Sequence, residues 1–135
     1  MNRQVFLDAS FWIAYRDERQ ERHSEARQIL IEIFRSRPRI VTTFPVLCEI
    51  QAHFSRHPKK RPLVLEDLWN NPIVTLEPVT HQDQEEAISI LRTQVDKAFS
   101  LCDATSFVIM RKLGLSQVLS FDEHFRQFGE FEIIS

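Results

Sequence analysis

Apolar positions along the chain alternate between two spacings. Short apolar runs at residues 4–7, 39–42, 73–76, 117–120 and 132–134 predict five strands. Between them the spacing becomes helical. Ala26, Ile29, Leu30, Ile33 and Phe34 form one stripe, Val46, Leu47, Ile50 and Phe54 a second, and Ala87, Ile88, Leu91 and Val95 a third. Pro38 closes the first of these regions, and Thr43-Phe44-Pro45 marks the start of the second helix, with proline in its tolerated first turn. A basic loop at 57–62 precedes a short helix over 63–69. Asp103 opens a helix over 104–113 that is apolar on most of its circumference and therefore central, and Gly114 ends it.

Strands alternating with helices predict an α/β fold, a three-layer α/β/α sandwich with a mainly parallel five-stranded sheet, formed by residues 1–135 as one domain. In such sheets ligands bind beyond the carboxyl ends of the strands, where strand order reverses. Asp8 ends the first strand and Asp122 follows the fourth. If those strands are neighbours, the two acids meet.

Charge narrows the choice of partners. With 17 basic against 19 acidic residues the chain has no global positive field, so nucleic-acid binding must rest on a local patch. Arg56-His57-Pro58-Lys59-Lys60-Arg61 is the clearest one, with Lys59, Lys60 and Arg61 as candidate phosphate contacts and a solvated loop as the alternative. Arg35, Arg37 and Arg39 form a thinner second cluster. Trp12 and Trp69 are expected to pack inside, and Cys48 and Cys102 to be reduced and buried. No apolar run approaches 18 residues and no signal-peptide core is visible, which predicts a cytoplasmic protein without a membrane span.

Four acids differ from the rest by context. Asp8, Asp103 and Asp122 each border an apolar run, and Glu49 borders the apolar stripe of its helix. Taken singly, the three aspartates are explained as helix N-caps, worth about 1 kcal/mol each. Gathered at one sheet edge they repel, and a hard divalent cation with oxygen ligands is the natural counter-charge.

These acids also carry a family resemblance. Phe6-Leu7-Asp8-Ala9-Ser10-Phe11 resembles the opening motif of PIN domains, and Glu49 matches the glutamate of the second motif. The third is matched by the stretch from Asp96 through Ser100-Leu101-Cys102-Asp103-Ala104, and the fourth by Ser120-Phe121-Asp122-Glu123-His124-Phe125. Asp17 and His23 fall where toxin-type members carry Asp and His. Ala9 and Cys102 depart from the commoner hydroxyl residues, but no acid is missing.

The resemblance implies a Mg²⁺- or Mn²⁺-dependent endoribonuclease. Asp8, Asp103 and Asp122 would hold the metal, and Glu49 would complete the catalytic set. Ser10 and Asp96 would be supporting residues. Among single-domain members the chain is similar to the VapC group, which implies a homodimeric toxin restrained by a small antitoxin, with RNA as substrate. A non-catalytic RNA- or protein-binding module and a housekeeping RNA-processing nuclease are the alternatives. A haloacid-dehalogenase-like phosphatase fits poorly, because that chemistry wants an acid two residues after the nucleophile and Ser10 stands there.

Overall fold

The computed structural model describes residues 3–135. Its sheet is built from β1 (Gln4–Leu7), β2 (Arg39–Thr42), β3 (Val74–Leu76), β4 (Gln117–Leu119) and β5 (Glu132–Ile134). Every pairing is parallel, in the order β3-β2-β1-β4-β5. Successive strand residues point to opposite faces, yet Val5, Phe6 and Leu7 are all fully buried. Both faces of β1 are therefore covered, as a three-layer sandwich requires. The order reverses between β1 and β4, so the expected neighbours are adjacent, with Leu7 in register with Leu119.

Among the described residues seven α-helices surround the sheet: α1 (Ala9–Arg16), α2 (His23–Ile33), α3 (Phe44–His53), α4 (Lys60–Leu68), α5 (His81–Thr93), α6 (Leu101–Leu113) and α7 (Glu123–Phe128). Helix α1 packs against α2 and α3, α3 against α4, and α5 against α6. The stripe of α3 is buried as its spacing predicts, with Val46, Leu47, Ile50 and Phe54 at most 3% exposed. A phenylalanine cluster holds the C-terminal part together. Phe107 of α6 stacks on Phe128 at 4.2 Å between centroids and meets Phe125 edge-on at 5.0 Å, and Phe131 packs beside them. Helix α7, and with it the segment around Asp122, is thereby fixed to α6.

Several expectations are corrected. Helix α6 starts at Leu101, with Ser100 as N-cap and Asp103 in its first turn, because the Ser100 hydroxyl and the Asp103 carboxylate bond each other's backbone N–H in a capping box. Helix α4 starts at Lys60 and not after Pro62, since a proline in the first turn has no N–H to lose. Trp69 is 54% exposed. Cys48 is exposed and Cys102 partly exposed, both as free thiols. Arg39 is engaged with Thr75 and the Pro72 carbonyl.

Trp12 is buried, and its indole N–H donates to Asp67 Oδ2 at 2.8 Å. Arg16 grips the same carboxylate through Nε at 2.8 Å and Nη2 at 2.6 Å, locking α1 to α4. Replacing Asp67 with alanine strands a guanidinium and a buried indole N–H together. We expect Asp67→Ala to lose about 3 kcal/mol in urea unfolding; a loss under about 1 kcal/mol would show that the lock is only a surface pair.

Candidate active site

Asp8 leaves β1 in an extended conformation and caps α1. It is 4% exposed. Its Oδ2 accepts from the Ser10 hydroxyl at 2.6 Å, the Ser120 hydroxyl at 2.9 Å and the Ser10 backbone N–H at 3.3 Å. Each serine oxygen in turn accepts from backbone: Ser10 Oγ from the Phe121 N–H and Ser120 Oγ from the Asp122 N–H, both at 3.0 Å. The Asp8 N–H completes the knot on the Leu119 carbonyl at 3.1 Å. Among the described residues no donor reaches Asp8 Oδ1. Burial, with repulsion from Asp122 and Asp103, pushes the Asp8 carboxyl up to about 6 even against the two serine hydrogen bonds.

Asp103, 6% exposed, projects from the first turn of α6. Its Oδ2 accepts from the Ser100 N–H at 3.0 Å and lies 2.6 Å from His124 Nδ1. Asp122 caps α7 through Oδ1, which accepts from the His124 N–H at 3.0 Å and lies 3.3 Å from the same imidazole nitrogen. Asp103, Asp122 and His124 thus offer three ligand atoms within 4.8 Å of one another. The edge of Phe99 packs against the His124 ring and helps hold it there.

Glu49, on the exposed side of α3, shares a cleft of about 470 Å³ with Asp8, Ser10, His53 and Asp122. The Cys102 thiol lies in the field of this glutamate and of the aspartates. Burial first, then the charge and hydrogen bond of Glu49 and the charges of Asp8 and Asp103, push that thiol well above its ordinary value. It is therefore a neutral filler among carboxylates and not a nucleophile.

The structure thus gathers Asp8, Glu49, Asp103 and Asp122 and places Ser10 as a donor to Asp8. It leaves Asp96 outside: that side chain is 72% exposed in the turn after α5 and pairs with Lys97 at 3.0 Å. Lys60 is also redirected. Its ammonium bonds the Arg16 carbonyl and the Glu18 carboxylate, so it ties α4 to the end of α1 instead of standing free for phosphate. Lys59 and Arg61 are exposed.

Sequence reasoning missed Ser120 and His53. Ser120 is fully buried directly after β4, and a hydroxyl preceding an aspartate at a strand end was the available signal. His53 Nε2 lies 2.9 Å from Asp17 Oδ2, and nothing in the sequence couples them. Asp17 itself is buried at the end of α1, and His23 Nδ1 meets the Ala14 carbonyl at 2.8 Å, so both residues brace the α1–α2 connection.

Three aspartates with one nearby imidazole, and an Asp8 carboxyl raised by burial and further by the charges of Asp122 and Asp103, fit a hard divalent cation, which would offset that charge. Among the described residues no helix is long and apolar enough to cross a membrane.

Comparisons with known proteins place the whole fold. The family model described as "PIN domain" matches residues 5–130. The 23S rRNA-specific endonuclease VapC20 of Mycobacterium tuberculosis, from strains CDC 1551 / Oshkosh and H37Rv, is 31% identical over 131 residues, covering 96% of this chain and 97% of the relative. The crystal structure of M. tuberculosis VapC20, described as a sarcin-ricin loop cleaving toxin, superposes with a TM-score of 0.85 at 28% identity, covering 97% of this chain and 99% of that one. With its all-parallel sheet order and a family model that matches almost its whole length, this chain belongs to the PIN domain family.

Proposed function

We propose that this chain is a metal-dependent endoribonuclease, the toxin of a type II toxin–antitoxin pair, acting in the cytoplasm on a structured ribosomal RNA loop. The observation that supports the reading is that Asp8, Glu49 and Asp122 line one open cleft beyond the β1/β4 seam, with Asp103 linked to Asp122 through the His124 imidazole. The RNA target follows from the likeness to an rRNA-specific relative that aligns over nearly the whole chain.

Asp8, Asp103 and Asp122 are the residues to hold Mg²⁺ or Mn²⁺. When bound, the cation supplies Lewis-acid polarisation of the scissile phosphate and lowers the pKa of a coordinated water. The protein's own groups do the positioning. Ser10 and Ser120 hold Asp8 Oδ2, which leaves Oδ1 for the site. The Ser100 N–H and His124 fix Asp103 in the same way. Glu49, the most solvent-open of the four, orients the attacking water and takes its proton. No ribose hydroxyl is needed, so the products are 5′-phosphate and 3′-hydroxyl ends.

Two protein partners complete the reading, a small antitoxin and a second copy of the chain. Support for the second copy comes from an apolar groove of about 710 Å³ beside the acids, where Phe44 (58% exposed), Trp69 and Leu101 face solvent.

Purified protein should cut a sarcin–ricin-type RNA hairpin with Mg²⁺ or Mn²⁺ and stop in EDTA. Asp103→Asn should lower the rate at least ~100-fold while keeping the fold. Metal-independent cutting, or cutting that survives Asp103→Asn, would sink the assignment. A protein that binds RNA but never cuts it would point to the non-catalytic module.

The raised Asp8 carboxyl makes a separate prediction for the metal-free protein. A raised carboxyl contributes stability that is fully present below the unfolded value near 3.8 and is lost as pH climbs through about 6. At about pH 8 the ionised group then costs on the order of 3 kcal/mol. Asn caps a helix as well as Asp does. In EDTA, Asp8→Asn should therefore be more stable than wild type at about pH 8, with the gap closing toward about pH 4. Unfolding curves that show a pH-independent gap would refute the carboxyl's role; added Mg²⁺ should narrow the gap.

A further inference from the structure

The acidic cleft does not end at the acids. Ser10, Ile13 and His53 line it, and the same three residues line a second hollow of about 420 Å³, whose other walls are Gln20, Arg22 and Phe121 with Glu21 at the side. The two form one trough that runs from the carboxylates toward the α1–α2 connection. The far end differs in chemistry from the near one. The Arg22 guanidinium lies 4.9 Å from the centroid of the Phe121 ring, and that ring stacks on Phe11 at 5.3 Å. A flat cation on an aromatic shelf is suited both to a phosphate and to the face of an unstacked base.

This end of the trough is built, not incidental. Asp17, 4% exposed, is its anchor. Burial raises that carboxyl, but bonds from Arg19, from His53 and from the Arg19 N–H outweigh it and hold it well below the usual carboxylate range. Being ionised, Asp17 accepts from His53 Nε2 at 2.9 Å and from the Gln20 amide at 3.5 Å. That fixes the imidazole and leaves Nδ1 as its other polar atom. Arg22 is less restrained. Its only charge partner among the described residues is Glu25 at 3.4 Å, with both side chains about half exposed. Such a pair is worth little and yields readily to a phosphate.

We propose that the hollow between Arg22, His53 and Phe121 is the subsite for the RNA strand flanking the scissile phosphate, with Arg22 on a phosphate or base face and Asp17 as a positioning residue acting through His53. This rests on the nuclease reading above. It moves the principal RNA contact from Lys59–Arg61 to the α1–α2 connection, where the hollow shares Ser10, Ile13 and His53 with the acidic cleft.

The test uses the full chain carrying Asp8→Asn, so that RNA is bound but not cut, and the fluorescein-labelled hairpin of the cleavage assay. Anisotropy titrations over a range of salt should show Arg22→Ala weakening binding about tenfold and lowering the slope of log Kd against log salt by about one. Arg22→Lys should keep the slope and recover only part of the affinity, because lysine keeps the charge but not the plane. Lys59→Ala with Arg61→Ala should change both quantities less. In the cutting enzyme, Arg22→Ala should raise KM more than it lowers kcat. If Arg22→Ala binds like its parent while wild type cuts, the subsite is wrong and the nuclease reading stands. If wild type does not cut and its Asp8→Asn form does not bind, both fall.

Discussion

A carboxylate at the buried end of a strand is tolerable only if donors meet it there, and for Asp8 the donors come from both sides of the β1/β4 seam. Ser10 belongs to the helix that Asp8 caps, while Ser120 follows the neighbouring strand. The two serine oxygens then accept the N–H groups of Phe121 and Asp122, so the bonds that hold Asp8 also set the path of the chain into α7. Asp122 and His124 are placed by that path, and His124 reaches back to Asp103. Asp8, Asp103 and Asp122 are therefore joined in one connected network hung on the first aspartate.

This network loads one oxygen of each inner carboxylate and leaves the other to the cleft. Oδ2 of Asp8 and Oδ2 of Asp103 carry the protein's hydrogen bonds. Fixed side chains present charge without reorganising when a ligand arrives, which is where electrostatic catalysis gains most. The rigidity has a source in packing: Phe99 seats the His124 ring, and the phenylalanine cluster clamps α7 to α6.

The sheet and the acids were legible because both follow from short-range rules. Strand ends announce themselves where a buried run meets a charge, and Asp8 and Asp122 stand at such points. Asp103 was legible as an acid on a buried helix but not as a member of a capping box, since Ser100 and Asp103 exchange roles within a single turn. What stayed hidden depends on long-range geometry. The Asp67–Arg16–Trp12 lock and the Asp17–His53 pair join residues dozens of positions apart, and no periodicity encodes them. Lys60 looked like free positive charge because its acceptors, the Arg16 carbonyl and Glu18, lie at the end of a different helix. Trp69 was expected inside because tryptophan usually is, yet it borders the apolar groove, a surface that a lone sequence cannot distinguish from core.

The bond between Ser120 and Asp8 spans 112 residues of chain. Parallel neighbours so far apart form late, after a long loop has been closed. During synthesis the first strand emerges with its aspartate, but Ser120, Asp122 and His124 follow only after β2, β3 and β4 have been made. The acids at the β1/β4 seam therefore come together only once β4 has been made, so the cleft cannot exist on a partly synthesised chain.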